Sequence, residues 1–205
     1  NLMVAPGIKG YTKDLDKRPA LLKPEEAKKM LADAGYPNGF EFEWTTSQNE
    51  SWGLPIVEAV IPMLAKVGIK AKPKLVEVTV LTEIAMKGDN QALIASSQTG
   101  PDSLAVLRCF YSKTPRTACN YTGFKNTEFD KLLDDAAQEG DMAKRAELLK
   151  KANNLLYEEA PVWFFNYNKA VLAYQPWVHG LQPNPTEITH QYLEDVWVDA
   201  NSPAK

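Results

Sequence analysis

The sequence predicts an α/β fold in which a mixed β-sheet is flanked by helices. Phe40, Phe42 and Trp44 alternate with polar residues, a period of two that is typical of a half-buried strand. Residues 54–67 then carry apolar side chains at helical spacing, and residues 69–78 predict a second strand. A strand, a helix and a strand in this order form a crossover unit, which favours parallel pairing of the two strands.

The elements on either side of this unit are predicted by their end signals. The stretch PEEAKKMLADAG begins with Pro24 at the first helical position and ends at Gly35, which indicates a short amphipathic helix. Residues 80–86 predict another short helix that Gly88 closes, and residues 91–96 predict a buried strand.

The second half of the chain is predicted to begin with helices and to end with strands. Residues 127–138 and 141–159 have the clearest helical periodicity. After them, β-forming residues predict strands over 162–167 and 170–174, joined as a hairpin, and one last strand over 191–198.

Composition and charge exclude several classes of protein. An apolar share of 44% in 205 residues is enough to build a hydrophobic core. The formal net charge is −3, and the basic residues lie singly or in short pairs such as Lys28-Lys29 and Lys150-Lys151. Because no basic patch is formed, we expect no nucleic acid partner.

The sequence contains no predicted membrane span and no targeting segment. No apolar run approaches the roughly 20 residues that cross a bilayer, and no charged region followed by an apolar region opens the chain. The start at Asn1-Leu2-Met3 resembles the interior of a longer sequence, so a secretory signal upstream is compatible with it.

The two cysteines, Cys109 and Cys119, leave two states open. Their spacing allows a disulfide, which would stabilise the fold by roughly 2 to 3 kcal/mol through loop closure and would imply an oxidising compartment. Two unpaired thiols are the alternative that the spacing alone leaves open.

A search for catalytic and cofactor-binding patterns gives none. The glycines never approach a phosphate-binding pattern, and no G-x-S-x-G surrounds a serine. Of the two imidazoles, neither His179 nor His190 has the spacing of a metal ligand. We therefore expect no cofactor, no metal and no enzymatic activity.

Two regions remain as candidates for recognition. Residues 96–103 are small, polar and turn-prone directly after a predicted strand, where α/β sheets present groups to ligands, although an ordinary surface loop has the same composition. The second region is the aromatic surroundings of the predicted hairpin, of which one or two rings are expected to face a cleft. These aromatics are Tyr157, Trp163, Phe164, Phe165, Tyr167, Tyr174 and Trp177.

The order of segments resembles the family 5 extracellular solute-binding proteins, which serve dipeptide, oligopeptide and nickel importers. The resemblance begins with PGIKGYTKDLDKRP and PEEAKKMLADAGYPNGFEFEW, continues with GFKNTEFDKLLDDA and DMAKRAELLKKANNLLYEEAPVWFFNYN, and ends with AYQPWVHGLQPNP. It implies a lobe of the type II periplasmic-binding-protein fold. In such receptors two lobes close over a solute and then dock on the membrane permease of an ABC importer, in the periplasm or at the cell surface.

The resemblance also implies a division of the chain. Residues 1–180 correspond to the second, C-terminal lobe, and residues 181–205 to a segment that returns to a missing N-terminal lobe of the same protein. We expect this returning segment to be loosely packed or rearranged in the present chain.

The ligand-binding residues implied by the resemblance follow the predicted strand at 91–96. Peptide binders of the family carry an aromatic residue and an Asp ahead of a Pro-Asp pair, and this chain retains only Pro101-Asp102. A buried ammonium group needs a carboxylate partner. The expected solutes therefore include an altered peptide, an opine-like compound or a glycoside as well as a standard peptide. The implied cleft residues are Ser97, Gln98, Thr99, Asp102, Arg108 and Asn166.

The family resemblance favours the disulfide over free thiols, because the segment from Arg108 to Tyr121 is similar to a family loop that carries a local disulfide. Two other functions stay open from the sequence: a hydrolytic enzyme on an α/β scaffold, and a module that delivers ligands to a sensor.

Overall fold

The structure is a computed structural model that describes residues 3–4, 8, 11, 23–49, 52–94, 102–167, 171–182, 184 and 192–203. In chain order, the helices are α1 (Pro24–Asp33), α2 (Gly53–Ala65), α3 (Val78–Lys87), α4 (Ser103–Leu107), α5 (Thr127–Gln138) and α6 (Met142–Glu159). The strands are β1 (Glu41–Ser47), β2 (Lys70–Val76), β3 (Ala92–Leu93), β4 (Val178–His179) and β5 (Trp197–Val198), and a 3₁₀ turn covers Arg108–Phe110.

The chain divides into two compact units. The first, called here the sheet unit, comprises Lys17–Ser97 and Arg108–Asp130. The second, called the helical unit, comprises Asn1–Asp16, Gln98–Leu107 and Lys131–Lys205.

The sheet unit is built on three parallel strands in the order β2-β1-β3. Strands β1 and β2 pair along their whole length, from Glu41 opposite Lys70 to Ser47 opposite Val76. Parallel strands need a crossover between them, and α2 supplies the crossover that the sequence predicted, while α3 supplies a second one between β2 and β3. The predicted α/β class is confirmed.

The two faces of this sheet differ in chemistry because side chains alternate along each strand. Trp44 and Ala71 are buried against Val57 of α2, with Phe42 and Leu64 packed around them. The predicted apolar stripe of β1 therefore does form the core side, except at Phe40, which is 39% exposed.

The opposite face of the strand pair carries exposed charges that pair diagonally across the two strands. Lys72 pairs with Glu41, and Lys74 Nζ lies 2.9 Å from Glu43 Oε2. The hydrogen bond from Lys72 is the largest influence on Glu41 and lowers the pKa of that carboxyl group. These side chains are about half exposed, so each ion pair contributes little to the stability of the fold. Their exposure shows that this face of the sheet is in contact with solvent.

The helical unit is organised around α6. Asp141 caps the helix, since its Oδ1 accepts from the backbone N–H of Ala143 at 2.9 Å and of Lys144 at 3.1 Å. The helix ends at Ala160, a non-glycine residue in the left-handed region with φ of 47°. Helix α4 packs against α6. The buried apolar residues in the described part of this unit are Met3, Val4, Val106, Leu107, Leu133, Ala136, Leu149, Ala152 and Leu156.

A small antiparallel pair joins β4 to β5 near the end of the chain. Val178 lies opposite Val198 and His179 opposite Trp197, and the His179 and Trp197 rings stack at 4.3 Å. Asp199 Oδ2 lies 2.9 Å from His179 Nε2. Residues 197–199 belong to the segment 181–205 that was expected to be loosely packed, and they contact Val178 and His179.

Three sequence expectations for strands need correction. The hairpin over 162–167 and 170–174 is wrong for its described residues, 162–167 and 171–174, which form no strand. The buried strand over 91–96 shortens to β3, with residues 95 and 96 outside the described part of the chain. The final strand over 191–198 shortens to β5. High β-propensity produces a strand only where a partner strand lies beside it.

Candidate functional site

Asp102 belongs to the polar segment at residues 96–103 that is predicted to bind ligand, of which the structure describes residues 102 and 103. Its Oδ1 accepts from the backbone N–H of Leu104 at 2.6 Å, which caps the short helix α4. Its Oδ2 lies 2.8 Å from Arg145 Nη2 of α6. Both carboxylate oxygens therefore have protein partners within the helical unit.

Arg145 holds this arrangement from the side of α6. Besides the ion pair with Asp102, its Nε donates to the carbonyl of Ala136 at 3.2 Å. The side chains of Arg145 and Asp102 are 18% and 30% exposed, so water screens the pair only in part. Asp102 thus has a positioning role that its place in the sequence did not reveal.

The other predicted ligand residues are distributed as follows. Ser97, Gln98 and Thr99 lie outside the described residues. Arg108 is an exposed residue of the sheet unit, and its carbonyl accepts from Thr114 Oγ1 at 2.7 Å. Asn166 is an exposed residue of the helical unit. A shared role of these side chains in one cleft stays a prediction.

The disulfide between Cys109 and Cys119 is confirmed, with a Cα–Cα distance of 5.0 Å. Asn120 directly follows the loop that this bond closes, and its side chain is only 3% exposed. Asn120 Nδ2 donates to the carbonyls of Tyr111 at 3.3 Å and Phe124 at 3.1 Å. The loop following Arg108 is therefore fixed by a covalent bond and by a buried amide.

Sequence reasoning missed a polar cluster at the carboxyl end of the central strand. Thr45, Thr46 and Ser47 are at most 3% exposed, and Thr46 Oγ1 has no hydrogen-bond partner among the residues that the structure describes. The sequence shows the run Thr-Thr-Ser directly after the alternating aromatic residues, but it does not indicate that these three side chains are buried. Carboxyl ends of parallel strands are where α/β folds bind ligands, yet these hydroxyl groups are covered in this conformation.

The outer surface of α6 carries a shallow groove of about 460 Å³. Asp102, Arg108 and Asn166 do not line it; the residues that do are Glu139, Ala143, Lys144, Glu147, Leu148 and Lys151. Within the described ranges, no three His, Cys, Asp or Glu side chains are grouped as metal ligands. Among the same residues, no helix has the length and apolarity needed to span a membrane.

An α/β unit with parallel strands, crossover helices and a disulfide loop defines a lobe of the type II periplasmic-binding-protein fold. Residues 1–118 match the family model described as the middle part of bacterial extracellular solute-binding proteins, family 5. The chain belongs to this family.

Similar proteins support both the family and the fold. The glutathione-binding protein GsiB of Escherichia coli (strain K12) is 30% identical over 146 residues, which are 67% of this chain and 28% of GsiB. The chain therefore spans less than a third of this relative.

Solved structures give the same picture. The periplasmic binding protein DppA from Helicobacter pylori, in complex with the peptide STSA, has a TM-score of 0.70 and 25% identity over 78% of this chain and 31% of its own. AgaA from A. tumefaciens R10, in complex with agropinic acid, has a TM-score of 0.68 and 27% identity over 77% of this chain and 32% of its own.

Proposed function

We propose that this chain forms one jaw of a solute receptor for an ABC importer, and that the receptor captures a peptide or peptide-like compound by closing two lobes over it. The observation that carries the proposal is the family match over residues 1–118 on a lobe of the matching fold. Residues 1–180 are the second lobe in this proposal, and residues 181–205 return to the N-terminal lobe.

The cleft side of this jaw is proposed to be the segment between β3 and α4 with two further side chains. Hydroxyl and amide groups suit a ligand that is rich in hydrogen-bonding groups, because each buried polar atom of the ligand needs a partner. The proposed cleft residues are Ser97, Gln98, Thr99, Asp102, Arg108 and Asn166.

The proposed solute class follows from the loop chemistry and from the relatives. The two oxygens of Asp102 already accept hydrogen bonds, so a free ammonium group would have to compete with Arg145 for this carboxylate. This favours a modified peptide or an opine-like compound over a simple dipeptide. GsiB is named for glutathione, and AgaA was solved with agropinic acid, which makes both compounds reasonable first probes.

The proposed location is the periplasm or the extracellular surface. Disulfides persist in oxidising compartments, and the bond between Cys109 and Cys119 supports this location. The proposed partners are the solute, the N-terminal lobe of the same receptor and the membrane permease of the importer. The receptor performs no catalysis in this proposal.

The test is native mass spectrometry of the full-length receptor isolated from its host. A retained small molecule that is released on unfolding is the expected result, and its fragmentation identifies the solute class. Addition of glutathione or agropinic acid to the emptied receptor provides the direct comparison. Turnover of any of these compounds by the receptor would contradict the proposal and would favour a hydrolytic enzyme.

A further inference from the structure

The loop that carries the disulfide has a charge opposite to that of the rest of the chain. Residues 108–125, called here the cationic loop, contain four basic residues and no acidic one; the basic residues are Arg108, Lys113, Arg116 and Lys125. The chain as a whole has a net charge of −3, so the remainder is acidic. Because the four basic residues lie singly along the chain, only the fold shows whether carboxylates neutralise them.

The fold leaves these four cations without carboxylate partners. Within the described ranges, none of the four basic side chains forms an ion pair. By contrast, Lys72 and Lys74 of the same unit each pair with a glutamate of β1. Lys113 Nζ lies 5.8 Å from the ring centroid of Tyr111, a contact that leaves its positive charge in place.

The shape of the cationic loop is fixed by bonds within the sheet unit. The disulfide closes the larger part of the loop, and the guanidinium group of Arg116 donates to the carbonyls of Tyr121 and Thr122. Asp130 borders the loop, since its Oδ1 accepts from the backbone N–H of Ser112 at 2.9 Å, and its charge offsets part of the positive charge. The loop therefore holds its exposed cations in a preformed arrangement, which lowers the entropy lost on binding.

The exposure of these cations indicates what kind of partner they fit. Arg108, Lys113 and Lys125 are all exposed. A small solute binds in a concave site that covers most of its surface, whereas charges spread along an exposed loop fit a macromolecular surface. Permanent interfaces are more apolar than transient ones, and charges at the rim of an interface accelerate the encounter of partners. A partner that binds and separates repeatedly therefore fits this loop better than the N-terminal lobe does.

We propose that the cationic loop is a contact surface for the permease of the importer, and that it meets an acidic surface on the outer face of that membrane protein. This rests on the proposed function, in which the receptor binds the permease to deliver solute and then leaves it. Lys113 and Lys125 attract the acidic surface, while Arg116 and the disulfide keep the loop in shape.

The test measures the association of the full-length receptor with its permease complex in nanodiscs, at low and at high salt. Lys113→Gln/Lys125→Gln is expected to slow association at low salt by about 3- to 10-fold and to weaken its salt dependence, because screening removes electrostatic attraction. The matched control is Lys72→Gln/Lys74→Gln, which removes the same charge from the same unit and should associate like the wild type. Both variants replace exposed side chains, so neither should change the melting temperature.

The outcomes separate this inference from the proposed function. If Lys113→Gln/Lys125→Gln associates like the wild type, or if the control is slowed as much, the inference is wrong and the proposed function stands. A wild-type receptor that does not associate with the permease contradicts the proposed function and this inference with it. Empty phosphatidylglycerol nanodiscs are the third arm: binding to them that Lys113→Gln/Lys125→Gln abolishes would assign the loop to lipid headgroups and overturn the inference.

Discussion

Arg145 Nη2 donates to Asp102 Oδ2 at 2.8 Å and so joins two residues that are 43 positions apart in the sequence. The bond links α6 to Asp102, which lies directly before α4 and at the end of the segment proposed to face the solute. Asp102 also caps α4 through its other oxygen. One carboxylate therefore fixes both the direction of a short helix and its attachment to a long one.

Replacing Arg145 by Met should lower the free energy of unfolding by about 1 to 3 kcal/mol, because a partly buried carboxylate loses its charged partner. Asp102→Asn should cost less, since the amide oxygen still caps α4. Urea unfolding measures both.

The control for this prediction is Lys131→Met, which removes an exposed ion pair with Asp135 and should change stability by less than about 0.5 kcal/mol. If Arg145→Met destabilises the protein no more than Lys131→Met does, the ion pair of Arg145 with Asp102 contributes no more to stability than an exposed ion pair.

Gly39→Ala should destabilise the sheet unit by at least about 2 kcal/mol. A Cβ on Gly39 would lie 2.0 Å from the carbonyl oxygen of Gly68, and Gly39 has φ of +73°. Backbone atoms must therefore move. Gly35→Ala is the control, since φ is +89° but no atom of the described residues beyond its chain neighbours lies within 4 Å of the new Cβ; it should cost only about 1 kcal/mol. Similar losses at both glycines would contradict the close approach of Gly39 to Gly68.

Ala160→Gly should stabilise the helical unit by about 0.5 to 1 kcal/mol. Ala160 ends α6 with φ of 47°, a conformation that glycine adopts without the steric cost of a Cβ. Thermal unfolding provides the measurement. The same replacement at Ala146, inside α6, should instead lower stability by about 1 kcal/mol. Destabilisation by both substitutions would show that Ala160 carries no strain.

Reduction of the disulfide between Cys109 and Cys119 should lower the free energy of unfolding by about 2 to 3 kcal/mol, mainly because the unfolded chain gains conformational entropy. The double variant Cys109→Ser/Cys119→Ser should match the reduced protein. Unfolding in urea with and without a reductant tests this. A stability that reductant leaves unchanged would mean that the loop is held by Asn120 and its hydrogen bonds alone.

The pair of strands β4 and β5 should loosen in acid. The hydrogen bond from His179, followed by that from the backbone of Asn201, lowers the pKa of Asp199 below its ordinary value. A carboxyl group with a lowered pKa stabilises the fold fully above its ordinary pKa of about 4, and this contribution is lost as the pH falls through the lower, folded value.

The measurement for Asp199 is the exchange protection of its own amide, which donates to the carbonyl of Trp177 at 3.0 Å. Protection should fall as the pH drops below the ordinary aspartate pKa of about 4, and Asp199→Asn should remove this pH dependence. The exposed Asp195 is the control: Asp195→Asn should leave the acid transition in place. An unchanged transition in Asp199→Asn would assign it to another group.

The helices were predictable because their signals are local. Pro24 and Gly35 around α1, the apolar period of α2 and Gly88 at the end of α3 each act within a few residues, and α5 and α6 were placed to within a residue at most ends. The crossover of β1, α2 and β2 was predictable for the same reason, since right-handed βαβ geometry leaves few alternatives.

The strands of the last third were not predictable in this way. Residues 162–167 have the composition of a strand, but a strand exists only with a hydrogen-bonded neighbour, and sequence propensity carries no information about where that neighbour lies. The same limit applies to Asp102. Its cap on Leu104 is a local pattern, whereas its pairing with Arg145 depends on the packing of α4 against α6.

By itself, the sequence determined the α/β class, the family and the positions of α1, α2, α3, α5 and α6, but not that of the short α4. It also singled out residues 96–103 as a candidate polar segment, whose role stays a prediction. Tertiary structure decided that Cys109 and Cys119 pair, that Thr46 is covered, and that the carboxylate of Asp102 is held by Arg145. The physical reason is range: helix periodicity and capping act over one or two turns, while disulfides, ion pairs and strand partners join residues that only the folded chain brings within a few ångströms of each other.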